Sequence, residues 1–152
     1  MSAPLAYRSS FPVLVCERLS AARDFYVRRL GFRVVFEADW YVQLHAPRGA
    51  SAAPIEIALM RSGESAQPAA LHGAYAGVGV ILTFEVADVN AFHAAFDAGG
   101  CEPIVPLRDE PWGQRHFLVR DPFGSLLDFV QAIPPAPEYE SAYRPSAKRG
   151  AP

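Results

Sequence analysis

The sequence predicts an α+β fold of two tandem βαβββ modules, and three observations support this prediction. One strand-like run, one helical run and three further strand-like runs occur in the same order twice, offset by roughly seventy residues. Apolar residues alternate within the strand-like runs and recur at helical spacing between them. Gly, Pro, Asn and Asp punctuate the runs. The 152 residues are 51% hydrophobic, which is enough apolar material for a packed core without disulfide or metal staples.

The first repeat covers residues 11–60. Residues 11–16 alternate as a strand, and Ser20 is placed to cap a helix over residues 21–30. Gly31 follows as a residue suited to end that helix. Three strand-like runs complete the module, at residues 32–37, 40–45 and 55–60.

The second repeat covers residues 78–133. A strand over residues 80–86 precedes Asp88, which is placed to cap the second helix, and Gly99-Gly100 ends it. Three strand-like runs follow, at residues 102–105, 115–120 and 125–131.

Three segments lie outside the two modules. Residues 1–10 form an N-terminal extension. Residues 61–77 are rich in Ser, Ala and Gly without a period, which predicts a linker. Residues 134–152 begin with a Pro-rich stretch and turn polar, so we expect an extended or disordered tail.

The faces of the predicted sheets follow from the strand period. A four-stranded sheet with one helix buries only one face well, so we expect the helices outside and curved mixed sheets around a shared cleft. Alternate residues of each strand then point into that cleft. The side chains placed there are Glu56, Thr83, Glu85, His116, Leu118 and Asp128. Leu127 and Phe129 of the last strand are placed in the core instead.

Composition excludes several classes of function. A formal net charge of −2 and a pI of about 6.1, with no basic stripe, argue against nucleic-acid binding. No apolar run reaches the ~18 residues of a membrane span. Residues 1–10 lack the apolar segment of a secretory signal, so we expect a cytoplasmic protein. Cys16 and Cys101 lie in apolar surroundings, and we expect both to be small buried hydrophobes.

Aromatic residues are the main candidates for ligand contact. Trp112 lies in a loop flanked by Pro and Gly, where a rigid indole can either stack on a planar ligand or anchor the loop to its own domain. Trp40 and Tyr41 are neighbours on one strand, so one of them must face the cleft.

His116 and Arg115 are polar candidates for the site, and the sequence offers more than one role for each. His116 lies beside Asp128 in the predicted cleft. Three roles are open to it: a displaced metal ligand, a general base oriented by Asp128, or a hydrogen-bonding residue of the cleft wall. Arg115 either meets an anionic group of the ligand or pairs with Asp109 or Glu110. Alternation alone does not choose among these roles.

Six short segments resemble one known superfamily. They are Phe11-Pro12-Val13-Leu14, Phe25-Tyr26, Leu30-Gly31-Phe32, Phe84-Glu85-Val86-Ala87-Asp88, Glu110-Pro111-Trp112-Gly113-Gln114-Arg115 and Asp121-Pro122-Phe123-Gly124. Over roughly residues 11–133 the chain is similar to the vicinal oxygen chelate (glyoxalase/bleomycin resistance protein/dioxygenase) superfamily. The last two segments resemble the bleomycin-resistance-protein branch most.

The resemblance implies a test for a metal. Metal-dependent members place a His or similar ligand on the first strand of each module and a carboxylate on the last, which corresponds here to Phe11, Ile81, Glu56 and Asp128. Both nitrogen positions are apolar, and transition metals usually require imidazole. We therefore expect no catalytic metal and no cofactor. A divalent metal held by Glu56, His116 and Asp128 is the alternative.

Two functions remain open on these residues. The first is a metal-independent protein that binds a small aromatic or cationic molecule, such as an antibiotic. The second is a metal-dependent lyase, isomerase or ring-cleaving dioxygenase that uses His116, Asp128 and Glu56. In the branch that the chain resembles, a proline at the position of Pro12 accompanies exchange of the first strand between subunits, so the resemblance implies a homodimer.

Overall fold

The chain divides into two compact units, residues 1–76 and residues 77–152. The computed structural model describes residues 8–47 and 55–143. Each unit contains a four-stranded mixed sheet and a helix that follows its first strand. These features confirm the predicted α+β fold of tandem βαβββ modules. The expectations for residues 1–7, 48–54 and 144–152 lie outside the described residues.

The first unit contains one sheet in the order β1-β4-β3-β2, in which β1 runs parallel to β4 and the other pairs are antiparallel. Helix α1 packs on β3 and β4. The elements are β1 (Val13–Cys16), α1 (Leu19–Leu30), β2 (Arg33–Glu37), β3 (Tyr41–His45) and β4 (Glu56–Arg61).

The ends of α1 test the two predicted capping residues. Gly31 is confirmed, since it adopts φ 69° and its N–H donates to the carbonyl of Tyr26. Ser20 is wrong as the N-cap, because α1 begins at Leu19. The carbonyl of Arg18 already accepts from Ala22 N–H at 2.9 Å, so the chain turns before Ser20. Burial of Leu19 in the core outweighs the capping preference of the serine.

The second unit repeats the arrangement in the order β5-β8-β7-β6, with β5 parallel to β8. Helix α2 packs on β7 and β8. The elements are β5 (Ile81–Glu85), α2 (Val89–Ala95), β6 (Glu102–Glu110), β7 (Gln114–Arg120), β8 (Leu126–Ala132) and α3 (Pro137–Glu140).

A cluster of phenylalanine rings fills the space between α2 and its sheet. Phe92 of α2 lies with its ring centroid 4.7 Å from that of Phe129, and Phe129 stacks on Phe117 at 5.1 Å. Leu127 and Val89 are fully buried beside them. The predicted inward orientation of Leu127 and Phe129 is therefore correct, and the residues that alternate with them lie on the sheet face opposite α2.

Strand β6 is longer than the predicted 102–105 segment. It continues to Glu110, and its register against β7 shifts twice, between Pro103 and Val105 and between Val105 and Arg108. Bulges of this kind absorb extra residues and reorient side chains. The shifts interrupt the alternation that sequence analysis depends on, and they bring the far end of β6 alongside the start of β7.

Other segments refine or correct the expectations. Asp88 is confirmed as the cap of α2, because its carboxylate accepts from Ala91 N–H at 2.9 Å. Gly99-Gly100 is wrong as the end of this helix, because α2 ends at Ala95. The expected linker contains a 3-10 turn at Ala69–Leu71, and the expected extended tail contains α3. Cys16 is buried, but Cys101 is only half-buried, so the expectation for Cys101 is wrong. Among the described residues, no helix is long and apolar enough to cross a membrane.

Candidate functional site

His116 lies between two carboxylates on the face of the second sheet that points away from α2. Its Nδ1 is 2.8 Å from Asp128 Oδ1, and its Nε2 is 3.1 Å from Glu110 Oε1. All three residues are at least nine-tenths buried. Strand alternation places His116 and Asp128 on this face, and the bulged end of β6 adds Glu110. Glu110, His116 and Asp128 are called the buried triad below.

Two further side chains complete the network around the buried triad. Arg108 Nε donates to Glu110 Oε1 at 2.5 Å, and the Thr83 hydroxyl lies 3.4 Å from Asp128 Oδ2. The Arg108 guanidinium, with a smaller contribution from His116, holds the pKa of Glu110 below its usual value in spite of the burial of the carboxylate. Throughout the described part of the chain, every buried side-chain nitrogen and oxygen has a hydrogen-bond partner.

Both ring nitrogens of His116 have carboxylate partners. Nδ1 lies at hydrogen-bond distance from Asp128 and Nε2 at hydrogen-bond distance from Glu110. Neither ring nitrogen is therefore left open to a metal or to a substrate proton. The geometry fits the hydrogen-bonding role among the three that the sequence left open.

The residues present do not fit a metal centre. Within residues 8–47 and 55–143, no three His, Cys, Asp or Glu side chains are placed to hold a metal ion. Both nitrogens of His116 are committed to carboxylates. On β5, Ile81 pairs with Leu126, while Thr83 pairs with Asp128 and supplies a hydroxyl beside that carboxylate. A metal bound through either nitrogen of His116 would have to displace one of these carboxylates.

The strand registers within the two units correct one predicted correspondence, that between Glu56 of the first unit and Asp128 of the second. Val13 and Thr83 each lie six residues before the first residue of their unit's helix, so they correspond. Val13 pairs with Ala58, and Thr83 pairs with Asp128. The position equivalent to Asp128 in the first unit is therefore Ala58. Glu56, the predicted equivalent, lies two residues away along β4.

Trp112 occupies the turn between β6 and β7, next to the buried triad. Its indole Nε1–H donates to Gln114 Oε1 at 2.8 Å, and its ring centroid lies 6.4 Å from that of His116 at an interplanar angle of 76°. The residue keeps 39% of its surface exposed. Trp112 is thus anchored to its own turn and is still partly exposed to solvent, and its stacking on a ligand stays a prediction.

Three other predicted contact residues share the face of the buried triad. Thr83 and Leu118 flank Asp128 on its two neighbouring strands, and Glu85 pairs with Val130, the next residue of this face along β8. Leu118 is buried, whereas Thr83 and Glu85 are exposed. The strand period therefore correctly places these side chains on one sheet face, and their contact with a ligand stays a prediction.

Arg115 lies on the other face of the second sheet. It precedes His116 on β7 and pairs with Gln131, whose side chain accepts from Val89 N–H at the start of α2. Its guanidinium holds Asp109 through Nε at 2.5 Å and Nη2 at 2.9 Å. Of the two roles predicted for Arg115, the structure contains the pairing with Asp109. The Arg115 side chain lies on the sheet face opposite that of His116.

The remaining candidates belong to a separate polar cluster in the first unit. Glu56 accepts from Gln43 Nε2 at 2.9 Å and lies 3.5 Å from His45 Nε2. Burial, with a smaller effect from the Glu56 charge, raises the pKa of Tyr41. The rings of Trp40 and Tyr41 lie 5.5 Å apart.

Four residues that shape these two clusters are not among the site residues predicted from the sequence. Gln43 and His45 had a usable signal, because they alternate with the buried Val42 and Leu44 on β3. For Glu110 the sequence signal was limited to its place in the Glu110–Arg115 motif, and Arg108 had no signal. The positions of both residues depend on the bulged register of β6.

The fold and the site define a paired-module α+β protein with a polar cluster on one sheet face of each unit. The family model described as the Glyoxalase/Bleomycin resistance protein/Dioxygenase superfamily matches residues 9–129. The chain belongs to this superfamily, as the six sequence segments implied. Comparison with the curated proteins found no match.

Solved structures share the fold at low sequence identity. A glyoxalase/bleomycin resistance protein/dioxygenase from Nocardioides has 20% identity and a TM-score of 0.65, with 86% of this chain and 87% of that chain covered. TnmS3, an antibiotic binding protein from Streptomyces sp. CB03234, has 21% identity and a TM-score of 0.64, with 86% and 99% covered. The bleomycin-binding protein of Streptomyces verticillus, complexed with copper(II)-bleomycin, has 24% identity and a TM-score of 0.57, with 83% and 97% covered.

Proposed function

We propose that this protein binds a small planar aromatic cation on the triad-bearing face of its second sheet, and that it does so without a catalytic metal. The observation that carries the proposal is the indole of Trp112. It is fixed by its own hydrogen bond to Gln114, keeps 39% of its surface exposed and lies beside a buried cluster of carboxylates.

A fixed indole favours a planar ligand. Aromatic stacking contributes about 0.5–1.5 kcal/mol beyond the burial of apolar area. A cation over an indole face gains about 0.5–2 kcal/mol, depending on desolvation. Because Trp112 is already held by Gln114, little side-chain entropy is lost when a ligand stacks on it.

The charge of the surrounding face favours a cation. Glu85, Glu110 and Asp128 contribute carboxylates to it, and Arg108 is bonded to Glu110. Arg120, further along β7, is ion-paired within the β6–β7 ladder. His116 is enclosed by two of the carboxylates. A positively charged ligand is therefore attracted, and an anionic one is disfavoured.

Two structural neighbours are consistent with a binding role. TnmS3 is an antibiotic binding protein, and the Streptomyces verticillus protein binds bleomycin. An enzyme that uses His116 as a base or a ligand requires a ring nitrogen that the buried triad leaves occupied. We therefore place the binding function ahead of the metal-dependent lyase, isomerase or dioxygenase.

The proposal includes a cytoplasmic homodimer. The edge strand β5 begins with an exposed apolar residue, Ile81, which is 53% accessible, and the segment before it adds Val80 at 46% and Val78 at 80%. Contiguous exposed apolar residues on a sheet edge are typical of association sites. Light scattering after size exclusion tests this part, with a mass of twice 16.6 kDa expected and a monomer at all concentrations contradicting it.

Calorimetric titration with ethidium tests the binding function. The protein is dialysed against a chelator, and phenanthridine, the neutral parent of ethidium, serves as the matched ligand. We expect ethidium to bind and phenanthridine to bind more weakly. Trp112→Phe should retain most of the affinity, and Trp112→Leu should lose about 1–2 kcal/mol, or roughly 5- to 30-fold in Kd.

Two outcomes would contradict the proposal. Equal affinity of the wild type and of Trp112→Leu for ethidium would show that the indole does not contribute to the binding site. A rise in Tm with Mn²⁺, Ni²⁺ or Zn²⁺ that disappears in Asp128→Asn would show a metal bound by the native state and favour the enzyme.

A further inference from the structure

The turn that carries Trp112 is held by the C-terminal end of the described chain. Residues 133–143, called the C-terminal strap here, follow β8 and include α3. The strap donates one hydrogen bond to each of three successive backbone carbonyls of the turn. These bonds run from Ile133 N–H to Gly113 O at 3.0 Å, from Ala136 N–H to Pro111 O at 2.8 Å, and from Tyr143 Oη–H to Trp112 O at 2.5 Å.

The turn and the strap also fit sterically. Gly113 adopts φ 98°, a conformation that residues with a Cβ rarely adopt. A Cβ at Gly113 would lie 3.0 Å from the carbonyl oxygen of Ile133, 3.0 Å from Tyr143 Oη and 3.2 Å from Pro135 Cβ. The glycine therefore lets the strap approach the turn closely enough to form its three bonds.

The strap lies beyond the part of the chain that the superfamily model matches, which ends at residue 129. Helix α3, which has Pro137 at its first position, turns the chain back so that Tyr143 reaches the turn. An element outside the family match thus contacts the residue on which the proposed function depends.

We propose that the C-terminal strap is part of the ligand site, and that Tyr143 is a positioning residue that fixes the orientation of Trp112. This inference rests on the proposed function. Tyr143 itself does not touch the ligand. Its hydroxyl holds the Trp112 carbonyl, while Gln114 holds the indole, so backbone and side chain are both restrained before a ligand arrives. Restraint of a contact residue in its bound conformation lowers the entropic cost of binding.

The chain offers a clean spectroscopic test, because it contains only two tryptophans. In a Trp40→Phe background, all tryptophan emission comes from Trp112. Tyr143→Phe then removes one hydroxyl, and Tyr139→Phe is the matched control within the same strap. We expect Tyr143→Phe to lower the emission anisotropy of Trp112 and to increase its quenching by acrylamide, with Tm unchanged. We also expect Kd for ethidium to rise about 2- to 10-fold.

A second pair of variants tests the fit between turn and strap. Gly113→Ala places a methyl group against Ile133 and Tyr143, whereas Gly124→Ala has a similar φ of 93° and nothing within 4 Å of its new Cβ. Both alanines carry the same kind of backbone strain. Only Gly113→Ala should change the quenching of Trp112.

The outcomes separate this inference from the proposed function. Equal Trp112 quenching in Tyr143→Phe and Tyr139→Phe would overturn it, and so would increased quenching with an unchanged Kd for ethidium. Failure of the wild type to bind ethidium would refute the proposed function and with it the role of the strap in binding. The quenching in the free protein would still show whether the strap fixes Trp112.

Discussion

Replacement of Asp128 by Asn removes one charge from the buried triad and leaves its geometry nearly intact. Asp128 Oδ1 accepts from His116 at 2.8 Å, and Oδ2 lies 3.4 Å from the Thr83 hydroxyl. An asparagine can keep its oxygen towards His116 and turn its amide nitrogen towards Thr83. The Asp128→Asn variant therefore isolates the value of the charge from that of the hydrogen bonds.

The size of the effect follows from the class of hydrogen bond. Hydrogen bonds to charged groups contribute about 1.5–3 kcal/mol, and neutral ones about 0.5–1.5 kcal/mol. The change from the first class to the second predicts that Asp128→Asn lowers the free energy of unfolding by about 1–1.5 kcal/mol. The side chain of Asp128 is only 13% exposed, so solvent screens this effect little.

Urea unfolding at neutral pH measures the loss, and Asp109→Asn is the matched control. Asp109 also pairs with a cationic side chain on the second sheet, but its side chain is 51% exposed. Ion pairs of that kind contribute little to stability. We expect Asp128→Asn to be clearly less stable than Asp109→Asn. Equal stability of the two variants, or a more stable Asp128→Asn, would refute the argument that the buried triad is held together by its charges.

Three further predictions concern the two units. Because the pKa of Glu110 lies below its ordinary 4.5, the folded state binds fewer protons than the unfolded state, so this part of the stability should be lost as pH falls below 4.5. Arg108→Gln, measured by urea unfolding against pH, should reduce that loss, and an unchanged pH profile would contradict the assignment. Leu127→Ala, which truncates a side chain with 0% exposure, should cost about 2–5 kcal/mol in the same assay. The raised pKa of Tyr41 should appear as a late phenolate transition in absorbance at alkaline pH, and Glu56→Gln should move it only slightly lower because burial is its main cause.

The fold was accessible from the sequence because its signals are local. The period of the strands assigned Leu127 and Phe129 to the core correctly. Asp88 caps the start of α2 and Gly31 the end of α1, as predicted from the hydrogen-bonding capacity of aspartate and the conformational freedom of glycine. Ser20 failed because the capping preference of a serine is smaller than the gain from burial of Leu19 in the core.

The candidate site was accessible only in part, because its geometry depends on contacts between distant residues. Alternation placed His116 and Asp128 on one face, and they do form a hydrogen bond. Glu110 reaches His116 only because β6 shifts register twice, which no local pattern reports. Tyr143 and Trp112 form a hydrogen bond although they are 31 positions apart in the chain. An extended or disordered tail, as expected from the sequence, would not have brought Tyr143 to the turn that carries Trp112.

Heteronuclear NMR of the isotope-labelled protein tests the central claim most directly, because the two tryptophans give two indole N–H signals. Trp40→Phe assigns them. The account predicts that ethidium, added in chelator-treated buffer, shifts the Trp112 indole signal and the backbone signals of Gln114 and Glu85 on the same sheet face. Saturable binding that leaves the Trp112 signal unchanged would contradict it.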